Sequence, residues 1–187
     1  MLKGLKELRK ITKEIHGEKK LSYDGEGRVT VPVSVNDDSG FTAPLSPYGE
    51  AVISSDVANF LEHSVKHIKP GCDLHFVISG DTVDEKEKRE YPAAIKNYYR
   101  YEFIECTREL KKNALLSVIM TVLSALVFVL AIVLAEVGVR DVILNMIDVV
   151  AWVFMWEAVD LFVLERATLR ISRLRSLAMI KAKYTFI

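Results

Sequence analysis

The chain has 187 residues, is half hydrophobic, and balances 25 Lys plus Arg against 25 Asp plus Glu. Zero net charge excludes bulk electrostatic attraction as a reason to bind nucleic acid. Its two cysteines, Cys72 and Cys106, are too few and too unpatterned for a disulfide framework or a cysteine-rich metal site, and are expected as free thiols in a reducing compartment.

Taken in chain order, Leu2, Leu5, Leu8, Ile11 and Ile15 recur near helical spacing with Lys3, Lys6, Arg9, Lys10 and Lys13 between them. This predicts an amphipathic helix that packs on the domain or lies on an anionic membrane surface. The same stretch lacks the continuous apolar core of a signal peptide, so the first long apolar run further on is expected to act as its own insertion signal. Residues 21–23 and 28–35 flank Asp24-Gly25-Glu26-Gly27, the composition of a β-hairpin. Val29, Val31, Val33 and Val35 alternate with polar residues, and Pro32, lacking an amide donor, predicts an edge strand. Residues 36–40 read as a loop without the ligand spacing or closing Glu of a calcium site, and residues 41–49 as irregular.

Ser54 or Ser55 is expected to cap a helix that ends near Ile68, before Pro70-Gly71, with Val57, Phe60, Leu61, Val65 and Ile68 as its buried stripe. His63 and His67 stand four apart, and Cys72 and His75 follow. They lack the HExxH order and a placed fourth ligand, so solvated side chains are expected rather than a metal site. Residues 73–79 read as a strand. Residues 85–90 are charged, Pro92 suits the first turn of a helix, and Ile95, Tyr98, Tyr99, Phe103 and Ile104 carry a helical pattern with no Gly or Pro before Ala114. One helix is therefore expected to run from the domain into the next segment. Tyr98, Tyr99 and Tyr101 have no basic groove beside them, so a helix surface is expected there rather than a base-stacking platform.

Residues 114–135 contain no charge, and after the link EVGVRD a second apolar run covers residues 142–164. Each is long enough to cross a hydrocarbon core of ~30 Å at ~1.5 Å per helical residue. Basic residues stand outside the pair: Arg108, Lys111 and Lys112 before it, and Arg166, Arg170, Arg173 and Arg175 after it, with only Arg140 in the turn. The positive-inside rule then places both termini in the cytosol. Lys111, Lys112, Arg166, Arg170, Arg173 and Arg175 are expected at lipid headgroups. Residues 165–178 read as a basic helix. Residues 179–187 alternate like a strand, which is expected to return to the sheet of the leading domain.

The second run carries Asn145, Asp148, Trp152, Trp156, Glu157 and Asp160. All but Glu157, which borders them, fall within about a third of a helical circumference. An ionised acid near a bilayer centre costs roughly 2.5–3.5 kcal/mol, so such groups protonate, pair or face another helix. The indoles of Trp152 and Trp156 are within reach of Asp148 and Asp160, and Lys111, Lys112 or Arg166 of the cytosolic acids. Ser117, Thr121 and Ala125 recur at four-residue intervals with Ser124 beside them, a small and hydroxyl-bearing surface. The polar stripe is expected to face that surface, or the same stripe of another subunit.

The runs at residues 94–99 (AIKNYY) and 108–113 (RELKKN), and at 152–156 (WVFMW) with the acid after it, resemble a family of small bacterial membrane proteins. Those have a short cytosolic α/β domain followed by a C-terminal transmembrane hairpin. The likeness covers roughly the last half of the chain and part of residues 41–61. In the similar sequences Arg-Pro follows the second Trp, where Glu157-Ala158 stand here. The resemblance implies a fold and a bacterial inner membrane, and no activity.

The expected fold is thus a small cytosolic α+β domain (residues 1–91), a helical connector (92–113), a two-helix transmembrane hairpin (114–164), and a basic helix with a final strand (165–187). Expected partners are the lipid bilayer, further copies of the chain, and a protein bound by the cytosolic domain, with no nucleic acid, metal or cofactor. No nucleophile–base pair, phosphate loop or metal box is visible, so no enzyme is expected. The leading expectation is a membrane-anchored interaction or adaptor module. The alternative is an oligomeric channel, or a membrane-disrupting effector, gated by a ligand of the domain.

Overall fold

The structure is a computed structural model that describes residues 22–46, 49–80 and 82–187. The expected amphipathic helix at residues 2–15 lies outside the described residues. The chain divides into two compact units, residues 1–97 with 178–187, and residues 98–177.

The first unit is built on a four-stranded sheet in the order β1 (Ser22–Tyr23), β2 (Val29–Ser34), β3 (Leu74–Ser79), β4 (Lys183–Phe186). β1 and β2 form the expected antiparallel hairpin, while β2, β3 and β4 run parallel. The final strand does return, with Tyr184 opposite Phe76 and Phe186 opposite Ile78. It starts later than the alternation suggests, because Met179 and Lys181 still belong to the preceding helix. Pro32 does not make β2 an edge strand; β2 pairs on both sides. The amides of Val29 and Val35 donate toward β3, so alternation turns the nitrogen of Pro32 the other way. There, among the described residues, β1 pairs only with Val29 and Thr30, and no donor is missed.

Val29, Val31 and Val33 alternate inward with Leu74, Phe76 and Ile78, giving the sheet one apolar face. Helix α1 (Ser55–Val65) adds Ala58, Leu61 and Val65 to the core. Its amino end is capped as expected, the Ser54 hydroxyl accepting from the Val57 amide at 3.5 Å. Of the expected stripe Leu61, Val65 and Ile68 are buried; Ala58 joins them, while Val57 is half-buried and Phe60 is 52% exposed. Phe41 stacks on Tyr91 with ring centroids 3.9 Å apart, and Phe76 on Tyr184 at 5.4 Å.

Helix α2 (Glu87–Glu136) begins earlier than Pro92 suggests. Asp84 and Glu87 form a reciprocal capping box: Asp84 Oδ1 accepts from the Glu87 amide and Glu87 Oε2 from the Asp84 amide, both at 2.8 Å. Pro92 therefore sits inside the helix, near its start. From there α2 runs unbroken to Glu136, as the lack of Gly and Pro predicts.

In the second unit α2 ends in a Schellman turn. Gly138 takes φ 81°, its amide donates to the Ala135 carbonyl, and the Val139 amide donates to Leu134. Helix α3 (Asp141–Val159) follows, then a π-helical turn (Asp160–Glu165) that passes directly into helix α4 (Arg166–Lys181). Among the described residues α2 is the one helix long and apolar enough to cross a membrane, and only 11% of its most apolar stretch is buried, unlike a core helix of a soluble protein. Helix α3 carries three acids, Asp141, Asp148 and Glu157.

Candidate functional site

Helices α2 and α3 meet along a seam of small residues. Ser117 Oγ donates to the Ala158 carbonyl at 2.9 Å and Ser124 Oγ to the Ala151 carbonyl at 2.8 Å, and all four residues are buried. Ala131 is buried one step further along α2, so contacts recur every seven residues on that helix. Seven residues make nearly two turns, the period at which two helices crossing at about 20° stay in register. The expected four-residue row does not form the seam. Thr121 is exposed and donates only to the Ser117 carbonyl of its own helix, and Ala125 is exposed. A four-residue row winds off the contact line within two steps; a seven-residue row follows it.

The polar stripe does not face α2. Trp152 and Trp156 are 64% and 69% exposed, Asn145 and Glu157 are exposed, and Asp148 and Asp160 are half-buried. The side of α3 against α2 is taken by Ala151 and Ala158, whose size lets the serines reach main-chain carbonyls. Among the described residues, neither indole bonds to Asp148 or Asp160, and Glu157 and Asp160 form no ion pair with Lys111, Lys112 or Arg166. Arg166 instead lies over the Phe162 ring at 5.0 Å, and Arg173 over Phe103 at 5.9 Å. Below the seam Asn113 donates to Glu165 at 2.6 Å. Lys111, Lys112 and Arg170 are exposed, and Arg166, Arg173 and Arg175 half-buried.

In the first unit, strand register assembles a group that linear spacing conceals. His75 Nδ1 lies 3.0 Å from Asp24 Oδ2, and its Nε2 is hydrogen-bonded to Thr185 Oγ1 at 2.9 Å. Asp24 is fixed through Oδ1, which accepts from the amides of Glu26 and Arg28, each at 2.9 Å. These amides, the Arg28 one first, together with the charge of Arg28, hold the Asp24 carboxyl below the usual carboxylate range. Glu26 pairs with Arg28 and reaches Lys183 at 3.8 Å. The cluster thus ties the β1 turn, β3 and β4 together. His63 lies exposed on α1 and His67 exposed in the turn after it. Among the described residues no group of three or more His, Cys, Asp or Glu could hold a metal ion.

At the carboxyl ends of β2 and β3 lies a cleft of about 370 Å³. Val33, Phe41, Leu61, Ile78 and Ile95 give it apolar walls, Phe60 stands at its mouth, and Ser34, Asn36, Asp37 and Asp56 are its polar groups. Ser34, Val35 and Asn36 also border a neighbouring hollow that continues to Ser79, Gly80 and Thr82. The Ser39 amide donates to Asp37 at 3.0 Å, and with the Ser39 hydroxyl it keeps that carboxyl below its usual range. No part of this cleft was anticipated from residue spacing. The run of polar residues after β2 reads as an ordinary loop until Phe41 and α1 fold over it.

No protein-family model matches the chain, and neither a curated protein nor a solved structure matches it.

Proposed function

We propose that the chain is a two-pass protein of a bacterial inner membrane with both termini in the cytosol, and that it acts as a self-associating interaction module. In this reading α3 is the second span, and the α+β domain binds a partner whose arrival is passed along the continuous helix α2. The apolar character of α2, the cationic residues outside the two apolar runs and the likeness of residues 94–99, 108–113 and 152–156 support the membrane placement.

One observation carries the self-association. The serine–carbonyl seam occupies one side of α3 and leaves Asn145, Trp152, Trp156 and Glu157 outside it. Acids facing lipid cost roughly 2.5–3.5 kcal/mol each on insertion scales. A second copy of the stripe relieves that cost, because its indole and amide donors meet the carboxyl acceptors.

The test is cross-linking in membranes, in a chain with Cys72 and Cys106 replaced. Trp152→Cys or Trp156→Cys is expected to give disulfide-linked dimers, and Leu115→Cys on α2 far fewer. Equal yields at all three positions would sink the stripe as an interface. For orientation, Gly138→Cys should react with an impermeant reagent added to intact cells and Asp37→Cys should not; the reverse pattern inverts the topology.

A further inference from the structure

We propose that the cleft at the carboxyl ends of β2 and β3 binds a small aromatic amine, its ring against Phe41, Phe60 and Leu61 and its ammonium group at Asp37 and Asp56. The inference rests on the domain being the part of the module that binds a partner, and it adds that the partner is a small molecule of this chemistry.

Position is the first argument. Beyond the carboxyl ends of β2 and β3 the chain turns away from the sheet, and Phe41 and α1 cover the apolar face beside it, leaving a recess. The cleft lies there, and its volume of about 370 Å³ falls within the range of small-molecule sites, about 300–1,000 Å³.

Charge is the second. Among the described residues its lining contains no Lys, Arg or His and two carboxylates. The amino end of α1, which would otherwise attract an anion, already spends the Val57 amide on Ser54 and has Asp56 in its first turn. A phosphate or carboxylate ligand therefore meets repulsion and no compensating donor. A cation meets two acceptors.

Apolarity is the third. Most of the lining is Val, Ile, Leu and Phe, so a bare ammonium ion gains too little to leave water. A flat ring attached to the cation fills the apolar part, and the faces of Phe41 and Phe60 favour a nearby positive charge. Phe60, 52% exposed on an otherwise conventional helix, then has a task that core packing does not give it.

The experiment uses the full chain in lipid nanodiscs and titrates it with tryptamine, followed by calorimetry. Indole-3-acetate keeps the ring and reverses the charge; butylamine keeps the charge and drops the ring. Tryptamine is expected to bind at least tenfold more tightly than either. Phe60→Ala and Asp56→Asn, each checked for unchanged near-UV circular dichroism, are expected to weaken it at least tenfold. Equal binding of the three probes, no tryptamine binding by the folded chain, or unchanged binding by both variants overturns the assignment. If tryptamine fails while Trp156→Cys still cross-links, only the ligand is lost; if cross-linking fails while tryptamine binds, only the self-association is lost.

Discussion

The hydroxyl of Ser124 donates a hydrogen bond to the carbonyl of Ala151 on the neighbouring helix, across 2.8 Å, at a point with no solvent exposure. That carbonyl sits inside α3, so removing the hydroxyl leaves it with a helical partner. Ser124→Ala is therefore expected to weaken the packing of α2 on α3 by only about 0.6 kcal/mol. Ser124→Leu forces a large side chain against Ala151 and is expected to cost about 1–3 kcal/mol. Thr121→Ala, at an exposed position whose hydroxyl bonds to the Ser117 carbonyl of its own helix, should be silent. Reversible unfolding in bicelles ranks the three variants.

The capping box at Asp84 and Glu87 starts α2 and leaves Pro92 inside the helix, beyond its first residues. Asp84→Ala removes the acceptor that holds the amides of Lys86 and Glu87, each at 2.8 Å. A loss of about 1 kcal/mol is expected, read from the urea midpoint of the domain signal. Glu87→Gln retains a side-chain acceptor and should lose less.

Asp24 makes the domain acid-sensitive. Its carboxyl titrates lower in the folded chain than in the unfolded one, chiefly because the Arg28 amide bonds to the charged form. The unfolded state therefore takes up the proton first. The stabilisation is complete above the ordinary carboxylate pKa and disappears as the pH falls below about 4. Asp24→Asn should flatten the urea midpoint against pH in that window. A slope equal to that of the parent would show that Asp24 contributes nothing there.

Gly80 is set by close approach rather than by its dihedral angles. A Cβ at this position would lie 2.5 Å from the Val35 carbonyl oxygen, which belongs to the backbone and cannot turn aside. Gly80→Ala must push the loop after β3 away from the loop after β2. The expected cost is about 1–3 kcal/mol. Because Val35 borders the cleft, tryptamine affinity should fall as well.

Where the residues themselves carried the information, the architecture was readable in advance. Asp24-Gly25-Glu26-Gly27 marks a turn and Ser54 a helix start, and each does that locally, whereas α1 stops at Val65, short of the end near Ile68 that Pro70-Gly71 suggested. The box at Asp84 and Glu87 was equally local, but Pro92 was the louder signal and drew the helix start to itself. Partner-dependent features were not readable. Ser117 belongs both to a four-residue row with Thr121 and Ala125 and to a seven-residue row with Ser124 and Ala131. Only the crossing angle with α3 chooses between them. Asp24, His75 and Thr185 come from three parts of the chain, and their meeting follows from the registers of β1, β3 and β4.

The parallel pairing of β4 with β3 also orders events during synthesis. The ribosome makes β3, then the whole of α2, α3 and α4, and only then the residues from Lys183 that lie beside β3. A nascent chain halted anywhere in between exposes an open strand margin and leaves Phe76 without its aromatic cover. The sheet closes only in molecules whose long helices have already been translated, so a completed sheet certifies that α2, α3 and α4 have been made.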